Sequence, residues 1–179
     1  MPVFEIQPLN PETYRQQTRR STLIVAVTFL VLAMSLSSVA VALFGEPGGD
    51  NLPLNIAGVA AGFALTGLLL RKVYWTQPWM ASAVYGWRLK RSLMRVTNVM
   101  HHVTAGVAIK DPTAMKLLRF YHLGLTQMHQ LDANSSSLLE VSAEIERHRE
   151  AMQAQGLDLD QRRLEPAWID AVKKIDAVK

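Results

Sequence analysis

Two stretches of this chain hold no charged side chain at all: 25 positions at residues 21–45 and 20 at residues 51–70. A helix needs about 20 mostly apolar residues to cross the hydrocarbon core of a bilayer, so each stretch is long enough. A soluble fold of 179 residues would have to bury both helices on every side. Two transmembrane helices are therefore predicted, at residues 22–44 and 53–70. Between them lies Glu46-Pro47-Gly48-Gly49-Asp50, which breaks a helix and carries no positive charge, so the spans should form a hairpin with an outer loop at 45–52. Arg15, Arg19 and Arg20 precede the first span, and Arg71 and Lys72 follow the second. Cationic flanks resist translocation, which places both termini in the cytoplasm. Ala40-Val41-Ala42 resembles a signal-peptide cleavage site, but the apolar run exceeds the 7–15 residues of such a core, roughly by half.

The spans also limit function. Ion pathways, proton relays and intramembrane haem generally need Asp, Glu, Lys, Arg or His at depth, and neither span holds one. With no cysteine anywhere, disulfides, thiolate metal sites and thiol catalysis are excluded. The spans are rich in small residues instead: Ser35, Ser37 and Ser38 in the first, Ala57, Gly58, Ala61 and Gly62 in the second. Gly58 and Gly62 form a GxxxG, a flat strip that lets another helix approach closely. That helix is either the first span or a neighbouring subunit.

Beyond Leu70 the composition changes. Residues 71–110 hold seven bases and no acid, whereas residues 111–179 hold nine bases and eleven acids. Positive charge is thus concentrated at the membrane exit, together with Trp75, Trp79 and Trp87. Rings with one polar edge favour the headgroup layer, and anionic lipid attracts bases there. Arg71, Lys72, Trp75, Trp79, Trp87, Arg88, Lys90, Arg91 and Arg95 are accordingly expected to form a collar for lipid or a partner. Attachment to a membrane exit argues against nucleic acid, which a basic, aromatic segment would otherwise suggest.

The rest reads as helices. Leu89, Leu93, Val96, Met100, Val103 and Val107 alternate spacings of four and three, the stripe of one continuous amphipathic helix. Asp111 caps the next at Pro112, whose apolar face is Ala114, Leu117, Leu118, Tyr121, Leu125 and Met128. Ser137 and Glu140 read as a capping box opening a third helix, with Leu138, Val141, Ile145 and Met152 inward and Gly156 as its stop. Pro166 opens a fourth with Trp168, Ile169, Val172 and Ile175. No stretch alternates with period two. The expected fold is all-α, a two-helix transmembrane hairpin followed by a cytoplasmic antiparallel helical bundle. Its divisions are a cytoplasmic N-terminal segment at 1–20, the hairpin at 21–70, and the collar with the helical domain at 71–179.

Several short motifs carry a resemblance: Ser35-Leu36, Phe44-Gly45, Asn55 with Gly58-Val59 and Gly62, Pro78-Trp79-Met80, Val84-Tyr85-Gly86-Trp87, Leu89-Lys90, Phe120-Tyr121, and Gly124 with Gln127 and Leu131-Asp132. Their order resembles a family of small two-span proteobacterial inner-membrane proteins known as a domain of unknown function. The likeness runs over about residues 14–139. The family usually reads Leu-Asp-Asp-Asn-Thr where this chain has Leu131-Asp132-Ala133-Asn134-Ser135, which weakens any role for a second acid there. The resemblance implies a bacterial inner membrane, two spans and a cytoplasmic helical domain. It implies no activity.

Catalytic templates are missing. There is no P-loop, GxSxG or HExxH, and Ser135 to Ser137 suit a helix start better than a nucleophile. Five histidines (His101, His102, His122, His129, His148) lie on the cytoplasmic side. His101 or His102 could approach His122 and His129 across an antiparallel pair and hold a metal, but Glu144 and His148 read as an ordinary helix-surface pair. Asp132 with His129 or Arg119 lacks a nucleophile to serve. No cofactor is expected. The leading expectation is a non-catalytic inner-membrane interaction protein, an accessory or assembly subunit of a larger complex. A homo-oligomeric scaffold or anionic-lipid organiser is the alternative, and a histidine-based metal enzyme comes third. Expected partners are membrane lipids and other membrane-protein subunits or further copies of the chain.

Overall fold

The structure is a computed structural model that describes residues 3–176, and for residues 135–138 and 140 the backbone only. It is all-α: among the described residues there are seven α-helices and almost no strand. The chain divides into two compact units, one of residues 16–84 and one combining the residues up to Arg15 with those from Tyr85 onward.

The first of these is a helical hairpin. Helix α1 (Pro11–Phe44) and helix α2 (Leu52–Lys72) are joined by a turn in which Gly49 N–H bonds Glu46 O at 3.0 Å. Both are long and apolar enough to cross a membrane. Their large apolar side chains point outward, with Leu30 55% and Phe63 73% exposed, where a core helix of a soluble protein would bury them. The two helices meet through glycine. A Cβ at Gly58 would overlap the backbone of Leu36 and Ser37, and one at Gly62 would sit 2.7 Å from Ala33 Cα. Polar groups along the pair bond within it: Ser37 Oγ donates to Asn55 Oδ1 at 2.7 Å, and Thr66 Oγ1 to Gly62 O at 2.8 Å. Phe29 and Phe63 pack edge to face. Two short 3₁₀ turns, Tyr74–Thr76 and Pro78–Met80, follow α2. Ser21 Oγ donates to Trp79 O at 2.7 Å, and the Tyr74 hydroxyl meets Thr28 Oγ1 at 3.1 Å.

Helix α1 is longer than the predicted span because its start was set by Asn10-Pro11. Asn10 Oδ1 accepts from the amides of Glu12 and Thr13, and Pro11 occupies a first-turn position where no amide is needed. Residues ahead of it belong to the helical unit. Strand β1 (Phe4–Glu5) pairs antiparallel with strand β2 (Arg163–Leu164), Phe4 opposite Leu164. Two residues per strand are too few to print a period-two signal, so this ladder is a correction to the strand-free expectation.

In the helical unit, helix α3 (Ala81–Thr97) and helix α4 (Met100–Ala108) replace the single helix expected. The ladder breaks at Asn98-Val99, within a run of Val96, Thr97 and Val99 whose branched side chains and poor helix formers weaken it. The apolar stripe nevertheless continues across the break, with Leu89, Val96 and Val103 fully buried. Helix α5 (Pro112–Leu131) starts as read: Asp111 Oδ1 accepts from Ala114 N–H at 2.8 Å. Helix α6 (Ser135–Ala154) begins at Ser135, ahead of the residue expected to cap it, and the side chains of Ser137, Leu138 and Glu140 lie outside the described residues. Helix α7 (Pro166–Val172) follows β2.

Helices α4, α5 and α6 end alike. At each, one residue turns left-handed: Lys110 (φ 60°), Ala133 (φ 56°) and Gly156 (φ 65°). The next amide reaches back five residues, from Asp111 to Gly106 O, Asn134 to His129 O and Leu157 to Met152 O. This satisfies carbonyls the helix end would orphan. Phe120, buried completely at the centre of α5, packs edge to face with Phe4.

Candidate functional site

The residues singled out by sequence fall into three groups. Gly58 and Gly62 are consumed inside the hairpin, where they receive α1. Of the basic, aromatic residues, Arg71 and Lys72 are exposed in the last turn of α2, where a helix C-terminus favours cations. Trp79 is half-buried, its ring 5.1 Å from that of Tyr74, and Trp75 is half-buried beside it in the chain. Trp87, Arg88, Lys90 and Arg91 are exposed on α3, with Arg95 half-buried.

Burial dictates which way α3 turns. Leu89, Leu93 and Val96 enter the core, so at 3.6 residues per turn the opposite face carries Trp87, Arg91, Met94 and Asn98 in one line. Lys90 flanks that line on one side, Arg88 and Arg95 on the other. Trp87, Lys90, Arg91, Met94, Arg95 and Asn98 together line a shallow groove of about 320 Å³. The Arg91 guanidinium lies 5.1 Å from the centre of the Trp87 ring, a cation–π contact. Lys90 Nζ pairs with Asp132 at 3.1 Å.

The third group is histidine, and here the pairing differs from expectation. His122 on α5 meets His148 on α6, not His101 or His102: the two rings are edge to face with centroids 5.2 Å apart, and both are buried. His102 turns elsewhere, its Nδ1 2.8 Å from Ile175 O, while its ring stacks beside that of His101. The signal for His148 was present in its spacing. It continues the inward series Val141, Ile145, Met152, so the residue belongs to the buried face and the surface reading of Glu144 with His148 fails. Glu144 approaches His122 instead, with Oε1 3.8 Å from Nε2.

A sequence model described as Protein of unknown function (DUF3087) matches residues 4–169. The chain belongs to the DUF3087 family. The match extends from β1 into α7, so it covers the whole hairpin unit and most of the helical unit of this DUF3087 protein. No curated protein and no solved structure matches the chain.

The chemistry of the histidine pair in this DUF3087 member is set by dryness. Burial lowers the His122 pKa to about 4, helped by the positive fields of His148 and Arg119. His148 is lowered too, chiefly by burial, against the hydrogen bond from its Nε2 to Met115 O at 3.0 Å. Both imidazoles are therefore neutral at pH 7, and the approach of Glu144 is not an ion pair. His122 Nδ1 is buried with no hydrogen-bond partner among the described residues. Arg119, whose own pKa burial depresses, donates from Nε to Leu159 O at 3.0 Å. Among the described residues, no group of three or more His, Cys, Asp or Glu is placed to hold a metal ion.

Proposed function

We propose that this DUF3087 protein is a non-catalytic interaction protein of the bacterial inner membrane, an accessory or assembly subunit of a larger complex, with both termini cytoplasmic. The observation that carries this reading is the hairpin. Its spans contain no charged side chain, and Ser37, Asn55, Thr28 and Thr66 bond within it. Its outside is covered by apolar side chains. Such a unit can anchor and pack but offers no path for an ion or proton.

The glycine pair serves the hairpin itself, so a partner helix must use another face. Opposite Gly58 and Gly62, the back of α2 presents Ala57, Ala60, Ala64 and Gly67, and a side chain added at Gly67 meets nothing within 4 Å.

Native mass spectrometry after gentle extraction from the source membrane tests this reading. A stoichiometric second chain is expected, lost in Ala60→Ile and Gly67→Ile while the helical content is kept. A homo-oligomer without other chains would replace the subunit reading with a scaffold, and a bare monomer would overturn both. Orientation is read separately with single cysteines, since the chain has none of its own. An impermeant reagent should label Glu46→Cys from outside intact cells and leave Leu139→Cys unmodified; the reverse pattern overturns the topology.

A further inference from the structure

The outward face of α3 is a charged feature that the family and the hairpin leave without a role. It is amphipathic twice over. One side buries Leu89, Leu93 and Val96; the other carries Trp87, 47% exposed, and Met94, 63% exposed, between basic flanks. No acid occurs anywhere in residues 71–110. Lys90 is engaged by Asp132, but among the described residues no ion pair involves Arg88, Arg91 or Arg95. Two large apolar side chains beside Arg88, Arg91 and Arg95 are costly to leave in water and poorly matched to an apolar partner.

We propose that this face binds the anionic phosphate headgroups of the bilayer, with Trp87 and Met94 at headgroup depth and Arg88, Arg91 and Arg95 on the phosphates. The inference rests on reading α1 and α2 as membrane spans. Three features select lipid as the occupant. Only Val73 to Met80 separate α2 from α3, a link of at most roughly 30 Å, so the chain itself holds α3 within reach of a bilayer. Guanidinium forks match phosphate oxygens in pairs, and three of them on one face suit a surface of repeated phosphates. An indole beside a thioether suits the boundary between headgroup and acyl chain, and Arg91 over the Trp87 ring keeps charge and ring together at that boundary.

The test uses the full chain, made single-cysteine by Met94→Cys, carrying an environment-sensitive label and reconstituted into nanodiscs. One set is of zwitterionic lipid alone, the other of zwitterionic with anionic lipid. The label at residue 94 is expected to become shielded from a water-soluble quencher in the anionic discs only, and to return to water at high salt. Arg88→Gln, Arg91→Gln and Arg95→Gln should each weaken the docked state about fivefold, and together by on the order of a hundredfold. A label at Phe63→Cys, on the outside of α2, checks the underlying reading. If residue 63 is shielded and residue 94 stays in water in both discs, the lipid face is overturned and the spans stand. If residue 63 is itself in water, the spans fail first. Shielding at residue 94 that ignores lipid charge also overturns the assignment. Shielding found only in native membranes assigns the face to a protein instead.

Discussion

Acid should loosen the contact between α5 and α6, and replacing His122 should remove much of that sensitivity. In the unfolded chain the imidazole takes a proton near its ordinary value of 6.5, whereas in the fold it does so at about 4. Above 6.5 both states are neutral and proton binding costs the fold nothing. As pH falls from 6.5 to about 4 the unfolded chain gains a proton the fold refuses, and stability is lost throughout that window. At about 1.4 kcal/mol per pH unit, the loss from this one residue approaches 3 kcal/mol. The groups facing His122 set the balance: His148 and Arg119 oppose its protonation, while Glu144 at 3.8 Å favours it but is too exposed to prevail. His122→Leu keeps the volume and deletes the unpartnered Nδ1, so at pH 7 the variant should be as stable as the parent or gain up to about 1 kcal/mol. Its stability should fall far less toward pH 4, the remainder coming from His148. Amide hydrogen exchange of α5 and α6 in the full chain, corrected for the intrinsic pH dependence of exchange, measures both quantities. An imidazole ¹⁵N titration placing His122 at its ordinary value would refute the reasoning, as would a leucine variant that keeps the whole acid response.

Two helix-end substitutions should act on stability alone. Ala133 holds a left-handed conformation that glycine adopts without strain, so Ala133→Gly should stabilise the helical unit by about 0.5–1 kcal/mol in denaturant titrations. Asp111→Ala removes the oxygen that accepts Ala114 N–H and should cost about 1 kcal/mol by the same measurement.

The elements legible in the sequence were those written by an uninterrupted rule. Charge-free length gave both long helices, Asp111-Pro112 gave the start of α5, and Gly156 gave the end of α6. The break between α3 and α4 was hidden because the apolar stripe stays in register across Asn98-Val99, and periodicity reports the face and not the hydrogen-bond ladder. Ala133 and Lys110 were unreadable as helix stops because neither residue type favours the conformation it adopts there; the chain accepts local strain to satisfy the terminal carbonyls. His148 was missed for a chemical reason. A histidine beside a glutamate one turn away looks solvated, and only the spacing from Val141 and Ile145 reveals that it faces inward.

The glycines and the arginines divide the work between the two units. A GxxxG is ambiguous in sequence because its flat face serves any helix, and here the nearest helix in the chain takes it: Ala33, Leu36 and Ser37 fill the strip. On the proposed reading, partner contact would use the small-residue face behind it, with alanine at Ala57, Ala60 and Ala64 where the inner seam has glycine. A close, glycine-lined contact closes the hairpin. The bases of α3 follow the same logic outside the hairpin. Lys90 pairs with Asp132 at 3.1 Å within its own unit, while on the proposed lipid reading Arg88, Arg91 and Arg95 meet headgroup phosphates. A variant that strengthens the outer face of α2 without touching the inner seam should therefore raise association and leave hairpin stability unchanged, whereas Gly62→Ile should lose both.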